Sequence, residues 1–125
     1  MRCVDDTYEQ WRRIGNARFD LFPAQICRCS SIQDVKDALT MAKERKLPVR
    51  VRAGGHHHEG MCSGNGVLMI DLTPMDWARV DQNNQSAEFG PGTRNGRIYE
   101  ELWNAHPHQI FVGGGCGDVR VGGFV

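Results

Sequence analysis

Three consecutive histidines, His56, His57 and His58, share the glycine-rich stretch RAGGHHHEGMCSGNG (residues 52 to 66) with Cys62. Imidazole and thiolate are both metal ligands and nucleophiles, so this loop invites two kinds of chemistry. A metal needs three or four side chains converging on one point, whereas neighbouring histidines in an extended loop alternate in direction. No H-E-x-x-H is present, because Glu59 is followed by Gly60, Met61 and Cys62. Zinc held by His56, His58 and Cys62 is therefore a poor fit, and a His/Cys metal module is kept only as a minor alternative. A second loop, GGGCGDVRVGGF (residues 113 to 124), sets Cys116 between glycines, a poor place for a packing residue. Cys62 or Cys116 with one of the five histidines makes a Cys–His pair on paper, and small packing thiols are the rival reading. His106 and His108 flank Pro107 and read as a solvated turn.

Both loops follow apolar runs. Glycine allows close backbone approach, and successive N–H groups in such loops form concavities that bind anions, phosphates included. Neither loop reads G-x-x-x-x-G-K-[ST] or a G-x-G-x-x-G opening straight into a helix, which disfavours nucleoside triphosphatase and Rossmann sites. A single loop of this kind is more often a turn, but two at strand ends in one small chain favour a ligand.

The elements that must position these loops follow from periodicity. Tyr8, Trp11 and Ile14 recur at helical spacing and predict a short amphipathic helix packed as a lid. AQICRC (24 to 29) is a candidate strand. Ser30 and Ser31 then cap IQDVKDALTMAKERK, a helix with Asp34 in its first turn, Lys43, Arg45 and Lys46 at its end, and Ile32, Val35, Leu39 and Met41 or Ala42 on its inner face. LPVRVRA (47 to 53) is a β-branched strand expected to pair in parallel with the Ile26 strand, making a βαβ unit. GVLMIDL (66 to 72) is apolar throughout, as a strand buried on both faces would be. ARVDQNNQSAEFGPG predicts a hairpin about the turn DQNNQS. NGRIYEELWN (95 to 104) predicts a second helix with Ile98, Leu102, Tyr99 and Trp103 inward, and QIFV a short strand before the second loop.

Length and charge bound the rest. One domain fits in 125 residues. With 15 Lys plus Arg against 15 Asp plus Glu, nothing points to nucleic acid or an anionic membrane as partner. There is no run of about 18 apolar residues, and MRCVDDTYEQW resembles neither a signal nor a transit peptide; a cytoplasmic chain is expected. Five cysteines, at 3, 27, 29, 62 and 116, show no repeating spacing. Cys27 and Cys29 share a strand face without disulfide geometry, so reduced thiols are expected.

In their order, these motifs resemble the N-terminal flavin-binding part of berberine-bridge-enzyme-like oxidases, in the vanillyl-alcohol oxidase and p-cresol methylhydroxylase fold group. PVRVRAGGHHHEG is similar to that family's strand and pyrophosphate loop, R-x-G-G-H-x-x-x-G. GVLMIDLTPM and AEFGPGTRNGRIYEEL are similar to its following strand, glycine turn and helix. GGGCGDVRVGGF resembles its second flavin loop, G-x-C-x-x-V-G-x-G-G. The resemblance implies that FAD is bound by Ala53, Gly54, Gly55, His56, His57 and Gly60 from the first loop and by Cys116, Val119, Gly122 and Gly123 from the second. His56 matches the residue that bonds the flavin 8α-methyl carbon, and Cys116 the one that bonds C6 in doubly linked members. At Arg120 the family more often has glycine; a long cation there would either crowd the ring or pair with a phosphate.

The expected fold is α+β: an FAD-binding PCMH-type subdomain with a small, mainly parallel sheet and flanking helices. The expected division is an N-terminal helical segment, 1–22, and a truncated flavin-binding domain, 23–125, whose second flavin subdomain is incomplete. The expected function is a share in an FAD-dependent oxidoreductase that oxidises a small organic substrate by hydride transfer. The family's catalytic base and substrate wall have no counterpart in these residues, so no catalytic or metal-binding residue is assigned and the chain alone is expected to be inactive. It would be completed by a C-terminal partner chain or a homo-oligomer, or serve as a non-catalytic scaffold.

Overall fold

The computed structural model describes residues 1–125 apart from Asp5, Gln82, Asn84, Gln85, Gln109 and Val125. Four strands make the main sheet: β1 (Arg2–Cys3), β2 (Gln25–Arg28), β3 (Val49–Arg52) and β4 (Leu68–Asp71). Their order is β1-β2-β4-β3. β2 and β3 both run parallel to β4, while β1 lies antiparallel to β2. The mainly parallel α+β sheet is as expected, but β2 and β3 are not neighbours, because β4 lies between them. The sequence explains this: all four β4 residues are buried, so it takes the doubly covered centre, whereas β3 carries exposed Arg50 and Val51 and takes the edge.

The two faces of this sheet read off the strand alternation. Leu68 and Ile70 face one way with Cys27 and Cys29, and α2 (Ile32–Glu44) covers them through Ala38 and Ala42. Met69 and Ile26 face the other way with Val4 and are covered by Tyr8 and Trp11, both on α1 (Tyr8–Arg12). Ile14 lies beyond the end of that helix. The α2 cap is as predicted: Ser31 Oγ accepts from Asp34 N at 3.1 Å, and Asp34 accepts from Ser30 N and Oγ at 2.8 Å. Its inner face differs from the expectation. Ile32 and Leu39 are 70% and 48% exposed, because the small Ala38 and Ala42 let the helix lie close on the sheet with Val35 and Met41 beside them.

A correction concerns the cysteines. Register sets Cys3 opposite Cys27, with Cα atoms 4.1 Å apart, and the two form a disulfide; Cys29, Cys62 and Cys116 are free. No sequence spacing reveals a bond that depends on a two-residue strand. Closing a loop across a separation of 24 residues is worth about 3 kcal/mol on chain-entropy grounds, enough to hold the N-terminal residues against the sheet.

The remaining strands, β5 (Ala78–Asp81) and β6 (Ser86–Phe89), form the predicted hairpin; Gln82, Asn84 and Gln85 of its predicted turn lie outside the described residues. Val80, Ala87 and Phe89 pack on Ile98 and Leu102 of α3 (Asn95–Ala105). Tyr99 is partly buried, its hydroxyl donating to Gly114 O at 2.7 Å, but Trp103 is 65% exposed and not inward. The strand expected at QIFV is absent among the described residues, Gln109 lying outside them. Ile110 and Val112 are 85% and 79% exposed, since no strand edge faces them, and only Phe111 packs, against Phe89, Tyr99 and Phe124. Among the described residues, no helix is long and apolar enough to cross a membrane.

Candidate functional site

The first glycine loop leaves the carboxyl end of β3, and a buried ion cluster fixes its point of departure. Asp71, fully buried at the end of β4, lies 3.2 Å from Arg52 Nη2 and 3.3 Å from Arg28 Nε. It also accepts from Thr73 N at 3.1 Å and Thr73 Oγ1 at 2.9 Å. Arg52 Nη1 in turn donates to the carbonyls of Trp11 and Arg13. The stretch after α1 therefore hangs on the same guanidinium that begins the loop. Two more bonds bind it to the loop itself: Gly15 N to Gly55 O at 2.9 Å, and Asn16 Nδ2 to His58 O at 2.8 Å. α1 packs over the sheet as expected, and the segment that follows it is a strap that sets the loop's position.

The second loop lies along the entrance to α3. Val121 N donates to Thr93 O, Asn95 N to Val119 O and Gly96 N to Gly117 O, each at 2.9 Å. Arg94 and Arg120 are bridge partners, and Val121–Gly123 forms a 3₁₀ turn. The buried Thr93 hydroxyl fastens this entrance to the hairpin by donating to Trp77 O at 2.8 Å.

Together the loops wall one cavity of about 500 Å³. Ala53, Gly54, Gly55, His56, His57, Val119, Gly122 and Gly123 all line it, with His58, Val51, Met61, Cys62 and Arg120. Eight of the ten residues expected to bind the cofactor thus meet in one place. Gly60 does not: at φ +66°, a Cβ there would stand 2.8 Å from the Phe19 ring, so it shapes the loop under the strap. Cys116 does not line it either. It is exposed, and its carbonyl, not its thiol, is the group held, by Asn95 Nδ2 at 3.4 Å. A neighbouring cavity of about 410 Å³ shares Gly54, His56 and Arg120 with the first and adds Trp11, Arg13, Arg52, Arg94 and Asp118.

Val51 and Met61 were not among the expected contacts, whereas Arg120 was expected to crowd the ring or pair with a phosphate. Val51 was legible as the outward residue of an alternating strand, and Arg120 as the one Lys or Arg in the second glycine loop; nothing marked Met61 in a polar loop.

The arrangement suits an anion-bearing, partly apolar ligand. Backbone of two glycine loops faces the space, Val51 and Met61 give apolar wall, and the two cavities carry four arginines against one carboxylate, Asp118. His57 Nδ1 accepts from Glu59 N at 3.1 Å, leaving its other nitrogen to face outward. Burial, with Asp34 adding to it, pushes the Cys29 thiol up to about 11, so Cys29 stays protonated near neutral pH and is no nucleophile. Among the described residues, no group of three His, Cys, Asp or Glu side chains is placed to hold a metal ion. A cofactor carrying a diphosphate and a flat ring fits these residues; a metal does not.

Comparison with known proteins agrees with this geometry. Residues 23–125 match the family model described as FAD binding domain. An FAD-linked oxidoreductase of Aspergillus niger is 33% identical over 99% of this chain and 23% of its own length. A berberine bridge enzyme-like protein of Arabidopsis thaliana is 30% identical over 90% of this chain and 22% of its own. Among solved structures, 6-hydroxy-D-nicotine oxidase from Arthrobacter nicotinovorans superposes with a TM-score of 0.89 at 25% identity, over 95% of this chain and 26% of that one. The chain spans about a quarter of the length of these relatives.

Proposed function

We propose, from the premise that this chain belongs to the FAD binding domain family, that it is the pyrophosphate-cradling portion of a flavin-dependent oxidoreductase acting on a small organic substrate. FAD is its ligand. The single observation that carries the reading is that the two glycine loops, far apart in sequence, wall one cavity. In this reading, backbone amides of Ala53, Gly54, Gly55 and His57 hold the diphosphate, where successive N–H groups suit its charge, and Val119, Gly122 and Gly123, whose own N–H groups donate within the protein, form the facing wall against the cofactor. Gly60 keeps the first loop in shape. The His56 imidazole, which lines both cavities, is the covalent handle, and Cys116 is the second. When bound, FAD supplies a hydride acceptor for a substrate C–H bond; this chain's part is to bind and orient it. With about a quarter of its relatives' length, the chain alone is proposed to be inactive, and completion by a C-terminal partner chain or a homo-oligomer restores turnover.

A second reading, a non-catalytic scaffold that docks on a partner, is favoured by the exposed Ile110, Val112 and Trp103. The visible spectrum of the purified chain, before and after acid precipitation, separates the two. Covalent FAD gives a yellow pellet, His56→Ala with Cys116→Ala releases the colour, and each single variant tells whether one link or two are made. A chain that stays colourless after incubation with FAD sinks the flavin reading and leaves the scaffold.

For location we propose the cytoplasm. The Cys3–Cys27 disulfide weighs against it, because reducing compartments keep such pairs as thiols. Alkylation of rapidly quenched cells decides: a cytoplasmic chain is labelled at both positions, and protection of both would move it to an oxidising compartment.

A further inference from the structure

We propose that Arg120 is a phosphate-recognising residue of this cradle, its guanidinium pairing with the diphosphate of the dinucleotide; the inference rests on the flavin reading above. Arg120 borders both cavities, and its stem lies across Gly54, where a Cβ would stand 3.3 Å from Arg120 Cγ. The stem therefore crosses the seam between the two glycine loops, and the cation at its end lies beside Gly92 O, on the border of both cavities.

Its backbone is pinned, by the bridge to Arg94 and by Gly123 N donating to Arg120 O at 3.0 Å. The side chain, 17% exposed, departs from a fixed point, so little rotamer freedom remains to be lost on pairing. Its charge is not spent within the protein. Nη1 donates to Gly92 O and lies 3.9 Å from an Asp76 carboxylate oxygen. That same carboxylate is only 2.9 Å from Arg97, so it serves Arg97 first. Both Arg120 contacts use Nη1, and a guanidinium has five N–H donors in a fixed fork, which leaves Nε and Nη2 for a ligand. Planar, paired donors match a phosphate's oxygens, and a largely buried guanidinium is screened less than one in open water. Backbone amides alone would bind a diphosphate with weak salt dependence; an added guanidinium raises both affinity and salt dependence.

The test follows FAD binding to the 125-residue chain by flavin fluorescence, with inorganic pyrophosphate as competitor, at low and high salt. Arg120→Gln is expected to weaken FAD and pyrophosphate by roughly 10- to 100-fold and to flatten the salt dependence, while Arg120→Lys keeps most of both. Asp76→Asn, which removes the carboxylate nearest Arg120, tightens pyrophosphate a few-fold. The last variant gains function, so it cannot be mimicked by misfolding. Unchanged FAD and pyrophosphate affinities in Arg120→Gln, or in Asp76→Asn, overturn the role of Arg120 and leave the flavin reading standing. A wild-type chain that binds neither ligand overturns both.

Discussion

Replacing Asp71 by alanine is expected to remove a large share of this chain's stability, so that the variant unfolds at a clearly lower urea concentration than the wild type. The carboxylate is fully buried and lies between two guanidiniums, Arg28 and Arg52. Its removal leaves Arg52, whose side chain is only 6% exposed, as a buried cation without a counter-charge. Breaking a buried pair from one side costs about 3–5 kcal/mol, against a total of about 5–15 kcal/mol for a domain of this kind. Arg28 suffers less, because its guanidinium also stacks 3.7 Å from the Trp11 ring and remains 27% exposed. Urea unfolding followed by circular dichroism measures the loss, and a change below about 0.5 kcal/mol, the range of surface substitutions, would refute the ion cluster's role. Asp71→Asn keeps the shape and an acceptor for Thr73 but not the charge, so its loss is smaller. The effect reaches the site because Arg52 also holds the carbonyls of Trp11 and Arg13. In Asp71→Asn, FAD affinity is expected to fall at temperatures where the helices are intact, since the strap on Gly55 and His58 loses its anchor.

This cluster marks the boundary of what the sequence discloses. GVLMIDL announced a buried strand, and β4 is one. The same run marked it for the covered centre, but the helix joining β2 to β3 suggested that those two strands were neighbours, and a crossover of this kind can skip a strand. The lone acid at the end of the apolar run was a usable signal: a carboxylate in a strand buried on both faces has to meet a cation, and the adjacent strand carries Arg50 and Arg52. Both project from the same face of β3, but Arg52, level with Asp71, is buried, whereas Arg50 is exposed. QIFV misled for a related reason. β-branched and aromatic residues favour strands only where an edge is there to pair with, and here Ile110 and Val112 have none. The two loops were legible because glycine and histidine stand out in type. Cys116 was singled out by the same match of types, which carries no distance; Asn95 holds its carbonyl and the residue is exposed, and its thiol is the proposed second handle.

Gly90→Ala is expected to damage the cradle from outside it. Gly90, Pro91, Gly92 and Thr93 form a turn closed by Thr93 N to Gly90 O at 2.9 Å, with proline at the second position, which such turns favour. The second glycine loop rests on this turn: Gly122 N donates to Pro91 O at 3.0 Å, Val121 N to Thr93 O at 2.9 Å, and Arg120 to Gly92 O. From below, the turn is pressed on the residues after β4, with Gly90 N to Trp77 O at 2.8 Å and Gly92 N to Met75 O at 3.0 Å. A Cβ at Gly90 would stand 2.0 Å from Met75 O and 2.8 Å from Trp77 Nε1. A carbonyl oxygen cannot swing aside as a side-chain end can, so the turn itself shifts. Overpacking of this kind costs about 1–3 kcal/mol, and the upper end applies where backbone meets backbone. The displaced turn carries Arg120 to Gly122 with it, so FAD binding weakens further than stability alone accounts for. Gly115→Ala is the matched control, because a Cβ there meets nothing within 4 Å and is expected to leave melting and binding unchanged. If the two variants melt and bind FAD alike, the turn does not support the loop, and the second wall of the cavity holds its shape by other means.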